Sequence, residues 1–565
     1  SIVCPNLVPS PPNLHTHRPP AAAAAPATLL AIFGPKPLLP LNLAAVDEGI
    51  SSSFCARIGT NRIAMKFNRG RRRSRDSKKA AYYGEERLSE LPSDVVVKVL
   101  ETVKTRLKKA AGNGEDRLSE LPNDVLLNIL ERVGTLDAVK TCILSKQMQK
   151  LPAMLSQIVI DLSSQDLIQM DGVVADVTNK ILSTRSPQIT VHKLKLKFFL
   201  VPSRCLSIGK SVGLAMVTQK LDASEFEIMT QKDFSHCTDA HRLLYAKKFN
   251  DFVRDCPDAF AGLTRLHLRN MRFGKSDISN ILSHCKRLEF LSFFECDEGV
   301  RSVLHVEHAQ LVELVIIFGK FETVELACLP KLQRMSYRDW QYDDNPLVLG
   351  FVPQLSKLSL ACPYLSGKTL NLSKLLANAP TVSDLDLEFR SEKIWIQPEC
   401  PKVLAPVLAK LRFVNLDHLR EECDISWTMF LLEAEPYLEE LCITVWDHKC
   451  LIESQKSVSK KTDVKWEPSD PHFKQKNLAR LTIYGFQSDD NFIGYIRRVI
   501  QAAVNIREVS LHSRKVCPLC FEKFPQVALR PSGYPRTSKE LDLLSEKMTA
   551  ASATASPVIH FRSLG

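Results

Sequence analysis

The chain has 565 residues, 45% of them hydrophobic, which is enough to bury a core spread over about three or four units or along one solenoid. Its formal charge of +12 is local, because Ser1 to Gly84 hold 12 Lys or Arg against Asp47, Glu48 and Asp76, leaving about +3 for the remainder. That argues against a nucleic-acid groove in the folded part. The 16 cysteines are irregularly spaced, and several, such as Cys142 and Cys285, replace apolar residues inside periodic segments. They read as reduced core thiols of a cytosolic or nuclear chain rather than a disulfide framework. No membrane span is expected, since the most apolar stretch, Ala21 to Val46, is broken by Pro26, Pro35, Pro37 and Pro40 and carries Lys36.

Residues 1–84 read as a Pro/Ala-rich disordered segment followed by a basic one. The sequence opens without Met. Two readings remain open: an organelle transit peptide, against which the prolines and low Arg content count, or a true start at Met65. The run Arg69 to Lys79 has seven basic residues and one acid, which suits either a nuclear import signal or a solvated segment. The localisation expected is nucleus and cytosol.

An internal duplication follows. Glu85 to Val103 (EERLSELPSDVVVKVLETV) returns as Glu115 to Val133 (EDRLSELPNDVLLNILERV), with Gly112-Asn113-Gly114 as a break between the copies. In the second copy Pro122 suits a first helical turn, and Val125, Leu126, Ile129, Leu130 and Val133 recur at helical spacing. Gly134 stops that helix, Thr135 caps a second whose apolar stripe is Val139, Cys142 and Ile143, and Ser145 can start a third. Only the first helix is present in copy one, so residues 85–114 form an incomplete duplicate and linker, and 115–160 the complete module. Three short helices cannot bury enough surface alone, so an apolar face should be left for a partner.

At Leu121-Pro122, the helix after it and Leu136 to Lys146 (LDAVKTCILSK), the sequence resembles the F-box. The resemblance implies docking to a Skp-type adaptor of a cullin–RING ubiquitin ligase through Leu121, Pro122, Val125, Leu126, Ile129, Leu130, Val133, Val139, Cys142, Ile143, Leu144 and Lys146. One departure stands out: Gln147-Met148 occupy the place where plant members carry an arginine and a tryptophan. Losing an interface aromatic weakens docking, and an adaptor-independent repeat scaffold is therefore the alternative reading.

From Val191 onward an apolar pattern LxxLxL recurs: Leu263-Leu266-Leu268, Leu288-Leu291-Phe293, Leu311-Leu314-Ile316, Leu332-Met335-Tyr337, Leu355-Leu358-Leu360, Val382-Leu385-Leu387, Leu411-Val414-Leu416, Leu438-Leu441-Ile443, Leu478-Leu481-Ile483 and Ile506-Val509-Leu511, with Val191-Leu194-Leu196 weaker. Most steps are 21 to 29 residues, the signature of a leucine-rich-repeat solenoid over 161–472. Lys449 to Lys476, polar and basic, reads as an edge loop. Residues 473–520 resemble the FBD module of plant F-box proteins, strand–helix–strand with a stripe of Ile493, Ile496, Val499, Ile500 and Ala503, expected to close the open end. The polar tail 521–565 reads as disordered. The fold class expected is thus α/β: a three-helix module, a solenoid and an FBD-like end.

No nucleotide, zinc-protease or serine-hydrolase motif is present, and the single CxxC, Cys517 to Cys520, is two ligands short of a zinc site, so no enzyme activity, metal or cofactor is expected. The expected function is a substrate receptor that holds a protein on the outward strand positions. Those positions change sign along the chain, from Arg265, His267 and Arg269 through Arg334 and Arg338 to Asp384, Asp386 and Glu388. Reversing the three acids is expected to abolish substrate capture without unfolding the chain.

Overall fold

A computed structural model describes residues 121–141, 147–169, 172–340, 346–361, 369–390, 394–421, 423–446, 466–470, 472–514, 517–523, 533–550 and 557–563. The first copy of the duplication, the segments before it, and Cys142, Ile143, Leu144, Ser145 and Lys146 lie outside these residues. The described module begins with helices α1 (Asn123–Val133) and α2 (Thr135–Lys140). In place of a regular third helix, 147–150 form a turn and Leu151–Met154 one turn of 3-10 helix. Leu126, Leu130, Ala138, Met148, Leu151 and Leu155 form a small separate core.

The strands that follow are β1 (Gln157–Ile160), β2 (Val191–Phe199), β3 (Leu221–Met229), β4 (Arg265–Arg269), β5 (Phe290–Phe294), β6 (Ser302–Glu307), β7 (Glu313–Ile317), β8 (Phe321–Cys328), β9 (Arg334–Arg338), β10 (Leu347–Phe351), β11 (Lys357–Ala361), β12 (Asp384–Glu388), β13 (Phe413–Leu419), β14 (Glu440–Val445), β15 (Arg480–Tyr484), β16 (Glu508–His512) and β17 (Val558–Arg562). Fourteen of them form one sheet in chain order, with β6, β8 and β10 set apart in a three-stranded sheet. Every pairing in both is parallel.

The repeated apolar pair explains the register. Leu266 lies opposite Leu291, then Leu314, Met335, Leu358, Leu385, Val414, Leu441, Leu481 and Val509, so all ten full instances of the pattern align. These side chains are buried, and the alternate residues face away from the core. A one-residue slip would turn the whole inward set outward, so burial locks the stack. Ahead of each strand one carbonyl accepts two successive N–H groups of the next repeat: Thr264 from Glu289 and Phe290, Glu289 from Val312 and Glu313, Val312 from Gln333 and Arg334, and so on to Ala479 with Arg507 and Glu508. After the strands comes a left-handed corner, at Asn270, Glu295, Phe318 and Asp339, with φ between 53° and 60°. The N–H groups of Asn270, Glu295 and Phe318 bond the last carbonyl of the neighbouring strand at 2.9 to 3.0 Å.

Five expectations change. The solenoid starts at β1, inside the stretch assigned to the module, because Ile158 and Ile160 are buried against Leu194 and Leu196. In β2 the register sets Leu196 and Phe198, not Leu194 and Leu196, opposite Phe226 and Ile228 of β3, which continue to Leu266 and Leu268. The FBD-like stretch does not end the solenoid: β15, helix α3 (Asp490–Ala502) and β16 are further rungs of the same sheet, and β17 pairs beyond them. The tail is not disordered throughout. Helix α4 (Ser538–Thr549) starts with a capping box between Thr537 and Glu540, buries Leu544 and Met548, and its Lys547 carbonyl accepts two bonds from Arg497 of α3. Within the expected edge loop, Trp466 and Phe473 pack on the core and Gln475 is buried, its amide bonding the Glu435 carbonyl at 2.6 Å.

Two measurements check this account. Gly485 has φ 82°, and a Cβ there would meet the Val445 carbonyl at 2.1 Å, so Gly485→Ala is expected to destabilise the chain by about 2 kcal/mol or more, read as a lower unfolding midpoint. Glu435 is buried, and that burial pushes its carboxyl up to about 7 from the ordinary 4.5. The folded state then holds a proton the unfolded state has released, so stability falls as pH rises from the ordinary value to the raised one. Glu435→Gln is expected to flatten that slope in denaturation curves collected across the same window.

Candidate functional site

Two surfaces answer to the residues singled out by sequence. On α1 and the two residues before it, Pro122 and Val125 are exposed, and Leu121, Ile129 and Val133 are half-buried. Leu126 and Leu130, expected to dock a partner, are only 1% and 3% exposed and fill the module's own core. Helical spacing marks an apolar stripe without saying which part of it turns inward. Val139 is turned elsewhere too: with Leu136 it packs on the core of the solenoid. The departure at Gln147-Met148 is absorbed internally, because Met148 is buried in the small core and the Gln147 amide donates to Asn123 Oδ1 at 2.9 Å and to the Leu121 carbonyl at 3.3 Å.

The module is tied to the solenoid by polar contacts that no sequence pattern announced. Thr135 Oγ1 accepts from Val159 N–H at 2.8 Å, and Glu131 accepts from Ser156 N–H at 3.1 Å and from its hydroxyl at 2.5 Å. The buried Arg185 bonds the carbonyls of Ala153, Ile189 and Thr190.

The outward strand positions form the second surface. On the large sheet, β4, β5, β7, β9 and β11 present Arg265, Arg269, Arg334, Arg338 and Lys357 against Glu313 alone among the acids; β12 to β14 present Asp384, Asp386, Glu388, Asp417 and Glu440, with no Lys or Arg. The expected change of sign is therefore present, but the two halves are not equally available. Arg338 pairs directly with Glu388, which also faces Arg390 at 3.7 Å and His418 at 3.4 Å, while Arg390 holds the wholly buried Asp339 at 2.6 Å. Burial, then the charge of Asp417, raises Asp386, and Asn415 donates to it at 2.8 Å. Asp384 accepts from Ser383 Oγ at 2.6 Å. Arg334 grips Glu313 through two nitrogens, at 2.8 and 3.0 Å. On β4 the arrangement differs: the Arg265 guanidinium lies 3.8 Å from the Phe290 ring centre, Arg269 4.4 Å from that of Phe294, and the His267 ring 4.7 Å from Phe290.

Among the described residues no three His, Cys, Asp or Glu side chains converge as a metal site, and no helix is long and apolar enough to cross a membrane. Burial pushes the thiols of Cys205, Cys285 and Cys296 up to about 12, which makes them poor nucleophiles.

Comparison with known families identifies two domains. The F-box domain matches residues 118–156, and the domain described as At1g61320/AtMIF1, LRR domain matches residues 255–532. The chain carries an F-box domain and a leucine-rich-repeat domain. The F-box match ends where β1 begins, and the repeat match begins just before β4 and runs past β16. Such an architecture is typical of non-catalytic adaptor or receptor proteins. No match to a curated protein was found. Among solved structures, a chain of the Toll–Spatzle complex from Drosophila is 10% identical, over 64% of this chain and 61% of that one, with a TM-score of 0.19.

The pairing of Glu388 with Arg338 and Arg390 counts against the expectation that all three outward acids bear little core load. Glu388→Lys would leave Arg338, Arg390 and a lysine facing one another, and is expected to cost about 3 kcal/mol in chemical denaturation, whereas Asp384→Lys should stay within about 0.5 kcal/mol.

Proposed function

We propose that this chain is the substrate-recognition subunit of a Skp–cullin–F-box ubiquitin ligase, with the F-box docking a Skp-type adaptor and the repeats holding a protein substrate for ubiquitination. The observation that carries this reading is the presence in one chain of an F-box and a leucine-rich-repeat domain, joined through Thr135, Glu131 and Arg185. Adaptor contact is assigned to the part of α1 and its lead-in that is not core, Pro122, Val125 and the half-buried Leu121 and Ile129. A receptor of this kind needs no catalytic residue. It raises the effective concentration of a substrate lysine at the ligase's active site, and the packed junction limits how far the held substrate strays. The resemblance of residues 473–520 to an FBD module belongs to the same reading, as further repeat surface.

Pull-down of the full chain with a Skp-type adaptor tests it. The wild-type chain is expected to be retained. Val125→Glu should cut retention at least tenfold with an unchanged unfolding midpoint, and alanine at Leu121 and Pro122 should also lose the adaptor, while alanine at Leu91 and Pro92 should leave retention nearly intact. Leu126→Ala should instead lower stability by about 2–4 kcal/mol, as a core truncation does. A wild-type chain that ignores the adaptor would establish the adaptor-independent scaffold.

A further inference from the structure

The register of β5, β7 and β9 sets Ser292, Val315 and Ser336 side by side in one outward row, and Phe294 beside Ile317 in the next. Among the strands of the large sheet from β4 to β16, β7 alone turns branched aliphatic side chains outward. That pair faces away from the core and is not covered: Val315 and Ile317 are half-buried, beside a Phe294 that is 7% exposed. The charges around the patch are already matched. Below it Arg334 holds Glu313 through two nitrogens, at 2.8 and 3.0 Å, and above it Arg338 meets Glu388. On the β4 side Arg265 lies over Phe290 and faces Glu225 at 3.5 Å, and Arg269 lies over Phe294. A charged group brought here would have to share an existing pair and shed its own water, whereas an apolar side chain gains from the area it covers. Apolar surface rimmed by polar groups marks sites of protein contact.

Two hydroxyls flank Val315. Ser336 is only 6% exposed and Ser292 is half-buried, and among the described residues neither hydroxyl has a hydrogen-bond partner. A hydroxyl so enclosed pays for its lost water until a bound polar group replaces it. Ser292 and Ser336 stand two strand spacings apart, about 10 Å. An extended chain laid across the strands covers that distance in about three residues. Its central side chain then falls on Val315, and the peptide groups on either side come within reach of the hydroxyls, which can donate to a carbonyl or accept from an N–H.

We infer that the patch on β5, β7 and β9 seats one apolar side chain of an uncharged, extended stretch of the substrate, the side chain resting on Val315 and Ile317 and the peptide groups beside it meeting the Ser292 and Ser336 hydroxyls. This rests on the receptor reading above and deepens it by naming the chemistry of what the repeats hold.

The test is fluorescence anisotropy of the full chain with capped peptides of equal length: serines and asparagines around one central leucine, the same peptide with serine for the leucine, and versions with aspartate or lysine for every asparagine. The leucine peptide is expected to bind at least tenfold tighter than the serine one, and neither charged version should improve on it. V315S, which flattens the patch, and S336W, which fills it, should each weaken the leucine peptide at least tenfold with an unchanged unfolding midpoint. If S336W unfolds the chain, S336A takes its place, with binding about threefold weaker for the lost hydroxyl. Equal binding of the leucine and serine peptides, a charged version at least tenfold tighter than the neutral one, or indifference to V315S overturns the inference. So does a dimer in light scattering that V315S abolishes, because the patch would then belong to a second copy of the chain. A chain that captures the adaptor but not the leucine peptide sinks this inference alone, and one that binds the peptide but no adaptor sinks the ligase reading alone.

Discussion

The whole structure depends on one repeated constraint: a parallel strand must present two apolar side chains to the core at the same height as its neighbours. Leu266 and Leu268, and their counterparts up to Val509 and Leu511, meet it across the repeat domain. Hydrophobic burial supplies the driving force, but burial is non-directional and does not choose a register. Register comes from the carbonyls that accept two N–H groups of the following repeat and from the left-handed corners that return an N–H to the next strand. Together they leave no strand in the series free to slide.

That same stack absorbs elements at both ends. The F-box lies against β1, with Leu136 and Val139 in the solenoid's apolar cluster and Thr135 bonded to Val159, so it covers the edge on which the sheet would otherwise stop. At the other end α4 packs on α3, Tyr534 donates to the Leu511 carbonyl at 3.2 Å, and β17 extends the sheet. Terminal repeats with atypical sequences are what a solenoid needs, because an exposed strand edge and half a core are costly in water.

The outward face follows from the same geometry. Strands about 4.8 Å apart bring side chains at equal heights within reach of each other, so charges on adjacent strands neutralise or reinforce according to their order. Between β9 and β12 the order brings Arg338 to Glu388 across an intervening strand whose outward residues near that height are Ser359 and Ala361, small enough to let them meet. Between β4 and β5 the neighbours of two arginines are phenylalanines, and the guanidiniums stack on them. The same residue type is an ion-pair partner in one place and a ring-stacked cation in the other, and the residues that strand order sets beside it make the difference.

The sequence by itself determined the repeat architecture, the ten apolar triplets that became strands and the position of the F-box, because these depend on local periodicity and on spacings of 21 to 29 residues that any chain with this fold must show. Its reading stopped where inward and outward cannot be told apart locally. Leu126 and Val125 are neighbours on one helix, yet one is core and the other exposed. Phe226 and Ile228 of β3 escaped the pattern because Ala223 breaks its first position, and the polar tail concealed a helix whose buried face is only Leu544 and Met548. Tertiary structure alone decided that Gln147 and Met148 hold the F-box together, that Glu388 belongs to a partly buried ion network, and that Arg265 and Arg269 lie on rings, because each of these depends on a residue more than twenty positions away. Distance along the chain carries no information about contact until the register of the sheet is known.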